Sequence, residues 1–301
     1  MKIIVTHMSP DWDAITSVWL IKKYLAGWQE AQIVFVPAGQ RYKGQEVRVQ
    51  KHDEDPIEKM GDDEIIHVDT GMGPLDHHQT YDTTLSAASL TWDYVRAQLT
   101  KATDTLTKEH EEAVSRVVKI VVSTDHFQEV YWADADADYH EFSLLGLLEG
   151  YKQIKQNQDP TYVTFGIDCL NALTATFENR IWAEKEINEK GIAFETRYGK
   201  AMGFETLNDT VLKLAQKMGY VLVVRKDPRK GYVRIKTLPA NGDDKGVNLT
   251  LAYEQFKKID PDATWFLHVS KKMLLNGTPK NPKMVPTKLS LTDIIKVLEK
   301  I

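Results

Sequence analysis

Short β-branched runs alternate with helix-like segments through the first 130 residues, and this alternation restricts the fold more than any other feature. The runs that predict buried strands are Lys2–Thr6, Ile33–Pro37 and Glu64–Asp69. The segments with the apolar period of a helix are Ala14–Leu25, Ser86–Leu99 and Lys108–Thr124. Because such alternation is typical of helices covering a parallel sheet, we predict an α/β layer with a mainly parallel sheet.

The remainder of the chain predicts a helical linker and a second, smaller domain. Residues 142–200 have helical patterns throughout. Behind them the sequence predicts a hairpin, a strand and a closing helix, at 220–238, Thr264–Ser270 and Leu291–Leu298. We therefore expect three parts, an α/β domain, a helical linker and an α+β domain, over residues 1–141, 142–200 and 201–301.

Charge is distributed unevenly along the 301 residues, although the net charge is only −5. Residues 1–150 hold 26 acidic and 13 basic side chains, whereas residues 201–301 hold 10 acidic and 18 basic ones. One uniformly solvated surface does not explain this split. It indicates a polyanionic partner for the last third of the chain, or two domains with different tasks.

Composition excludes several classes of protein. Cys169 is the single cysteine, so neither an intrachain disulfide nor a cysteine-built zinc site can form. We expect Cys169 to be a core residue of a protein in the reducing cytoplasm. No run reaches the roughly 18 apolar residues of a membrane span, and the apolar start is too short for a signal peptide. The sequence therefore predicts a globular protein without a membrane partner.

Four short segments carry aspartate and histidine near the ends of predicted strands or helices. They are His7-x-x-x-Asp11-x-Asp13, Asp69, Asp76-His77-His78 and Asp125-His126. Ligands of open α/β sheets bind beyond the carboxyl ends of the strands, so these side chains can converge. A single Asp before a helix is usually an N-cap, and a single buried His is usually a core residue. The combination of all four segments favours a functional site.

Carboxylates with a few imidazoles are typical ligands of divalent ions such as Mn²⁺ or Mg²⁺. Four facing carboxylates would repel one another, whereas two divalent ions would balance them. A pair of ions also needs a bridging carboxylate. The sequence therefore predicts a two-ion site with six ligands: His7 and Asp11 on the first ion, Asp13, His77 and Asp125 on the second, and Asp69 between them.

These residues resemble the motifs of the DHH phosphoesterases. Over roughly residues 1–130, the segment His7–Ile15 resembles the first motif of that superfamily, Asp69 the second, Asp76-His77-His78 the third and Asp125 the fourth. A looser resemblance, to the melanocyte-proliferating-gene family of DHH-related exonucleases, extends through Leu85–Leu90, Tyr232–Pro239 and Phe266–Ser270.

The resemblance implies a phosphohydrolase with two metal ions, Mn²⁺ by preference and Mg²⁺ or Co²⁺ as alternatives. Residues 1–141 would form its catalytic domain and residues 201–301 its substrate-binding domain. Asp69 and His78 would be catalytic residues, with His78 also facing the scissile phosphate and Asp76 supporting the imidazoles. A water activated by both ions would attack phosphorus in line with the leaving oxygen. The metal ligands that the resemblance implies are His7, Asp11, Asp13, Asp69, His77 and Asp125.

Basic side chains concentrate in two stretches of the last third of the chain. Residues 225–236 hold six Lys or Arg against one acid, and residues 268–288 hold five Lys and no acid. Aromatic residues lie close to both, as in proteins that hold single strands by phosphate neutralisation and base stacking. Any one lysine is better explained by a solvated hairpin, whereas the patch as a whole favours phosphate binding. For His268 a core position is an equal alternative. The candidate substrate-binding residues are Arg234, His268 and Lys271.

The sequence thus predicts a phosphodiesterase or exonuclease that cuts single-stranded or short oligonucleotides to mononucleotides. A soluble inorganic pyrophosphatase or small-nucleotide phosphatase of the same superfamily is an alternative, although that branch's Ser-Arg-Lys-Lys-Gln-like segment is absent. A metal-stabilised nucleic-acid-binding protein without turnover is an alternative of another class. The choice between RNA and DNA, the cleavage polarity and the oligomeric state, a homodimer included, stay open.

Overall fold

The β-branched runs near the N-terminus form a four-stranded sheet in the computed structural model, which describes residues 1–102, 106–242, 246–278, 281 and 283–300. The strands are β1 (Lys2–His7), β2 (Gln32–Val36), β3 (Glu58–Met60) and β4 (Asp63–His67), in the spatial order β2-β1-β4-β3. β1 is parallel to β2 and to β4, and the short edge strand β3 is antiparallel to β4. The predicted α/β class is confirmed, while the organisation of a DHH domain stays a prediction.

Helices lie between and after these strands along the chain. They are α1 (Trp12–Tyr24), α2 (Ala87–Ala102), α3 (Lys108–Asp125), α4 (Asp138–Glu141), α5 (Leu144–Ile154) and α6 (Asp159–Lys190). The chain divides into two compact units, Met1–Glu178 (unit 1) and Asn179–Ile301 (unit 2), and α6 continues from the first into the second. Among the described residues, no helix combines the length and apolar character that crossing a membrane requires.

The core of unit 1 fixes the ends of β1 and α1. Ile3, Ile4 and Val5 of β1 are fully buried, since this strand has a neighbour on either side. Ile4 packs in the same cluster as residues of α1, and Ile3 and Val5 pack with residues of β2 and β4 on the other face. Nearly every residue of α1 is buried, and Trp19 is 1% exposed. A helix that is buried around its circumference has little freedom to shift. The residues at the end of β1 and the start of α1 are therefore held in place.

Unit 2 is built on a six-stranded sheet with three helices in its described part. The strands are β5 (Ile192–Thr196), β6 (Gly199–Glu205), β7 (Leu222–Lys226), β8 (Val233–Thr237), β9 (Trp265–Leu267) and β10 (Met273–Asn276), in the order β5-β6-β7-β8-β10-β9. The helices are α7 (Thr210–Lys217), α8 (Thr250–Ile259) and α9 (Leu291–Leu298). The predicted β7–β8 hairpin and the closing helix α9 are confirmed.

Helical structure throughout residues 142–200 is not observed, so that prediction is wrong beyond α6. Gly191 follows the last turn of α6, and β5 and β6 then pair as an antiparallel hairpin. Gly199 opens β6 with a φ of +122°, which glycine adopts without steric cost. Ile192 and Phe194 continue the apolar period of the helix, so periodicity alone does not reveal the change. Four further elements were not predicted from the sequence: β3, β10, α7 and α8. The division into a catalytic and a substrate-binding domain stays a prediction.

Candidate metal centre

The predicted metal ligands of unit 1 lie together at the carboxyl end of the parallel strands. His7 is the last residue of β1, and Asp69 follows β4, the neighbouring strand. Their ligand atoms form three groups that could each hold a metal ion, and within each group the ligand atoms all lie within 4.8 Å of one another. The groups are His7, Asp11 and Asp69; Asp13, His77 and Asp125; and Asp69, His77 and His78.

The first group is arranged around one nitrogen of His7. His7 Nε2 lies 3.2 Å from Asp69 Oδ2 and 3.8 Å from Asp11 Oδ2. The other ring nitrogen, Nδ1, donates a hydrogen bond to the carbonyl of Met8 at 2.9 Å. This leaves the lone pair of the neutral imidazole on Nε2, which faces the two carboxylates.

Asp11 is the N-cap of α1, and its second carboxylate oxygen faces His7. Its Oδ1 accepts hydrogen bonds from the N–H groups of Asp13 and Ala14, both at 3.0 Å, so it is the N-cap of α1. Its Oδ2 is the atom that faces His7. The cap orients the carboxylate, and the second oxygen can serve as a ligand.

The second group is arranged around His77. Its Nε2 lies 3.3 Å from Asp125 Oδ2, and its Nδ1 lies 3.4 Å from Asp13 Oδ2. Asp13 is 2% exposed and accepts hydrogen bonds from the N–H groups of Ala87 at 2.7 Å and Ala88 at 2.8 Å. These donors at the start of α2 were missed by the sequence analysis. The signal for them is the predicted start of a helix at Ser86, because the first N–H groups of a helix have no partner within it and attract a negative charge.

Asp69 belongs to two of the three groups, and its backbone and carboxylate are both unusual. Its φ is +55°, in the left-handed region that few residues with a side chain adopt. Its Oδ1 is buried and has no hydrogen-bond partner in the described part of the protein. Burying an acceptor without a partner is costly, and a cation would satisfy it. The donor set of carboxylates and imidazoles therefore fits divalent metal ions.

Burial and like charges determine the protonation of this cluster. Burial and the charges of Asp13 and Asp11 raise the pKa of Asp69, against the hydrogen bond from His7. Burial and Asp13 also raise the pKa of Asp125 to about 6. For His7 and His77, burial favours the neutral ring, but the surrounding carboxylates outweigh it and raise each pKa to about 9. The cluster thus takes up protons to offset its own negative charge, and divalent cations could replace those protons.

His78 is oriented by a hydrogen bond to Asp76. Its Nδ1 donates to Asp76 Oδ1 at 2.7 Å, and this contact raises the pKa of His78. Asp76 Oδ2 accepts the N–H of Met72 at 2.7 Å. The side chain of His78 is 57% exposed, whereas that of His77 is nearly buried. The two rings are stacked, with their centroids 4.4 Å apart. His78 is therefore accessible to a substrate, and Asp76 is too buried to be so.

The candidate substrate-binding residues of unit 2 lie on or beside one face of its sheet. Arg234 on β8 is opposite Leu275 on β10, which is opposite Phe266 on β9. Partners in a sheet point to the same face, so Arg234 and the half-exposed Phe266 share a face. Lys236 lies two residues after Arg234 on β8, and His268 lies two residues after Phe266, just beyond the end of β9. Both therefore lie on the same side of the sheet as Arg234 and Phe266.

The surroundings of Arg234 differ from those of a free cation, and the alternative of a core position for His268 is not observed. Arg234 is not a free cation, because Asp209 forms ion pairs with it and with Arg225. His268 is not a core residue, since its Nδ1 lies 2.8 Å from the hydroxyl of Ser270 in an exposed turn. Lys271 is exposed in that turn. Lys280, one of the five lysines of the second basic stretch, lies outside the described residues.

Comparison with known proteins does not assign the chain to a family. No protein-family model matches it, and no curated protein matches it in sequence. Among solved structures it is similar to an uncharacterized protein from Helicobacter pylori, with 11% identity and a TM-score of 0.24 over 99% of this chain and 98% of that chain. It is also similar to RecJ from Thermus thermophilus in complex with Mg²⁺, with 12% identity and a TM-score of 0.27. That match covers 99% of this chain and 49% of RecJ, so the chain spans about half of the RecJ length. At these scores neither similarity carries an argument about fold or activity.

Proposed function

We propose that the chain is a metal-dependent phosphodiesterase or exonuclease that hydrolyses single-stranded or short oligonucleotides to mononucleotides. The observation that carries the proposal is the position of Asp69, which belongs to two ligand groups. Its Oδ2 faces His7 in the first group, and its Oδ1 faces His78 in the group that also contains His77. A carboxylate between two sets of ligands is what a pair of divalent ions requires. The resemblance of the four motifs to those of DHH phosphoesterases supports the same reaction class.

Six residues would hold the ions, which we expect to be Mn²⁺, with Mg²⁺ or Co²⁺ as substitutes. When bound, two such ions supply a water of lowered pKa and positive charge near the phosphoryl oxygens. The ligands would be His7, Asp11 and Asp69 on one side and Asp13, His77 and Asp125 on the other. Asp69 also forms a group with His77 and His78, which would place its carboxylate between the two sides.

His78 would act on the substrate itself. Because Asp76 accepts the proton on Nδ1, the opposite nitrogen of the ring is turned away from that carboxylate. In the protonated ring, which the raised pKa of His78 favours, this nitrogen carries a proton that can be donated to a phosphoryl oxygen. The exposure of the ring leaves room for that contact.

The shared face of the unit 2 sheet would bind single-stranded nucleic acid. Lys236 and Arg234 supply positive charge, and the exposed ring of Phe266 offers a surface on which a base can stack. His268 and the exposed Lys271 extend the same side. Asp209 balances part of the charge of Arg234, so we expect Lys236 and Lys271 to contribute more to phosphate binding.

The proposal is tested with a hydrolysis panel in the presence of Mn²⁺. Substrates are short RNA and DNA strands, a phosphorylated adenosine nucleotide, a cyclic dinucleotide and pyrophosphate. We expect release of mononucleotides from the strands, and loss of that release in Asp69→Asn. The control is Asp168→Asn, which removes the same charge from an exposed position of α6.

Two results would contradict the proposal and favour the alternatives. Rapid hydrolysis of pyrophosphate with no turnover of any oligonucleotide would indicate a pyrophosphatase. Salt-sensitive binding of single strands without release of phosphate or nucleotide would indicate a binding protein without turnover.

A further inference from the structure

The loop that carries Asp69 packs against a buried arginine that is not among the ligand groups. Arg41 lies between β2 and the 3-10 turn Tyr42–Gly44 and is 5% exposed. An arginine is almost never buried to this degree unless its charge and its donors have partners. The contacts of Arg41 therefore indicate its structural role.

Arg41 is fixed from one side by Glu58 and His67. Its Nη2 forms a close ion pair with Glu58 of β3. The Nδ1 of His67 lies 3.3 Å from the same oxygen of Glu58, and its Nε2 accepts the N–H of Tyr42 at 3.0 Å. Since Nε2 is the acceptor, the ring proton lies on Nδ1 and is donated to Glu58. The guanidinium is thus held by a partner that is itself oriented.

On its other side Arg41 contacts the Asp69 loop. Its Nη1 donates to the carbonyl of Gly71 at 2.8 Å. A Cβ atom on Gly71 would come within 2.8 Å of Arg41 Cγ, so the arginine stem also packs against the loop. The hydroxyl of Thr70 donates to the carbonyl of Gln40, the neighbour of Arg41, at 3.0 Å.

The loop needs such support because its backbone is strained. Asp69 and Met72 have φ values of +55°, and Gly71 has +79°. For residues with a side chain this conformation is unfavourable, and it persists only where the surroundings impose it. Asp76 holds one end of the loop through the N–H of Met72, and Arg41 holds the middle through Gly71.

We propose that Arg41 is a positioning residue for the metal centre: by binding the Gly71 carbonyl it holds the left-handed backbone that turns the Asp69 carboxylate toward its two ligand groups. The inference rests on the proposed function in one respect, namely that Asp69 binds metal. Arg41 lies in a segment without secondary-structure signal, and nothing in the sequence singles it out.

The test compares Arg41→Lys and Arg41→Met with Arg48→Met. Lysine keeps the charge beside Glu58, but a single amine cannot occupy the positions of both Nη1 and Nη2. Methionine keeps the stem and removes the charge. Arg48 is an exposed arginine that lines the same cavity of about 540 Å³ and pairs with Glu46, so it is a matched control.

Two quantities are measured in full-length protein: Mn²⁺ affinity by calorimetry, and amide hydrogen exchange of residues 69–76 without metal. Both Arg41 variants are expected to weaken Mn²⁺ binding by about 10- to 100-fold, the usual effect of removing a group that orients a ligand. The exchange of the Met72 amide should become faster. Arg48→Met should match the wild type in both quantities.

The two measurements separate the inference from the proposed function. Wild-type affinity or exchange in Arg41→Lys would mean that Arg41 only neutralises Glu58, and would overturn the inference. Faster exchange in the variants of a protein that binds no Mn²⁺ would leave the loop support standing and remove the proposed function. If Arg41→Met does not fold, Glu58→Gln loosens the guanidinium more mildly, and unchanged Mn²⁺ affinity in that variant would also overturn the inference.

Discussion

At the scale of single residues, Asp69 has two energetically unfavourable features that are unusual in an aspartate with a purely structural role. Its backbone is left-handed, and one oxygen of its buried carboxylate has no hydrogen-bond partner in the described part of the chain. Each cost is of the order of 1 kcal/mol or more. A residue retained at such cost is typical of a site whose ligand compensates for it.

Two substitutions separate these costs. Asparagine tolerates the left-handed conformation as well as aspartate does, so Asp69→Asn removes the buried charge and keeps the backbone. We expect the metal-free Asp69→Asn protein to be at least as stable as the wild type in urea unfolding with EDTA. Alanine lacks both the side-chain oxygen that faces His7 and the left-handed preference, so Asp69→Ala should be less stable than Asp69→Asn by about 1 kcal/mol.

The same pair of variants reports on the metal. Added Mn²⁺ should raise the unfolding temperature of the wild type and leave both variants unchanged, because binding to the folded state alone stabilises it. Equal destabilisation by asparagine and alanine would identify Asp69 as a structural residue instead.

At the scale of elements, the sequence predicts what local pattern determines and misses what depends on tertiary contact. β1, α1 and α9 lie within two residues of their predicted bounds, because β-branched runs and helical periods are local signals. The three-residue edge strand β3 has no such pattern.

The residues of the candidate metal centre were predictable to the same extent as the elements that carry them. Its side chains follow strand or helix ends, so motif spacing identifies them. The hydrogen bonds from Ala87 and Ala88 to Asp13 join segments 74 and 75 residues apart. The contact of Arg41 with Gly71 likewise depends on how the loops meet, which no periodicity encodes.

The position of α1, which carries Asp11 and Asp13, depends on its packing against α6. A Cβ atom on Gly166 of α6 would come within 2.4 Å of Ile15 Cγ2, an atom of a fully buried side chain that cannot simply rotate away. We expect Gly166→Ala to destabilise the protein by about 1–3 kcal/mol through overpacking. Guanidinium unfolding monitored by circular dichroism measures this change.

A second glycine provides the control. Gly150 lies within α5, and a Cβ atom there would meet nothing within 4 Å. Gly150→Ala should therefore stabilise the protein by roughly 0.5–1 kcal/mol, the usual gain for a helix interior. If both variants shift the free energy of unfolding in the same direction, the prediction that Gly166 permits close packing of α6 on α1 is wrong.

At the scale of the whole molecule, the two units carry opposite charge. Residues 1–178 hold 29 acidic and 15 basic side chains, whereas residues 179–301 hold 14 and 23. Four of the acids in unit 1 are the carboxylates of the ligand groups, whose charge two divalent ions would cancel. The net charge of −5 would by itself predict repulsion of nucleic acid, but the positive excess of unit 2 predicts attraction there.

This separation of charge predicts how salt acts on substrate binding. Burial and the charges of Arg234 and Lys213 lower the pKa of Lys236, as expected where positive charges are crowded and an anion would relieve them. With EDTA present to prevent turnover, the affinity for a fluorescent single strand should fall linearly with KCl on logarithmic axes, and Lys236→Gln should reduce the slope by about 0.7, the value for one phosphate contact. Lys258→Gln, which removes an exposed charge from α8, should leave the slope unchanged. Equal slopes for the wild type and Lys236→Gln would place the phosphate contacts elsewhere in the molecule, and the charge of unit 2 would then serve its solvation and not its substrate.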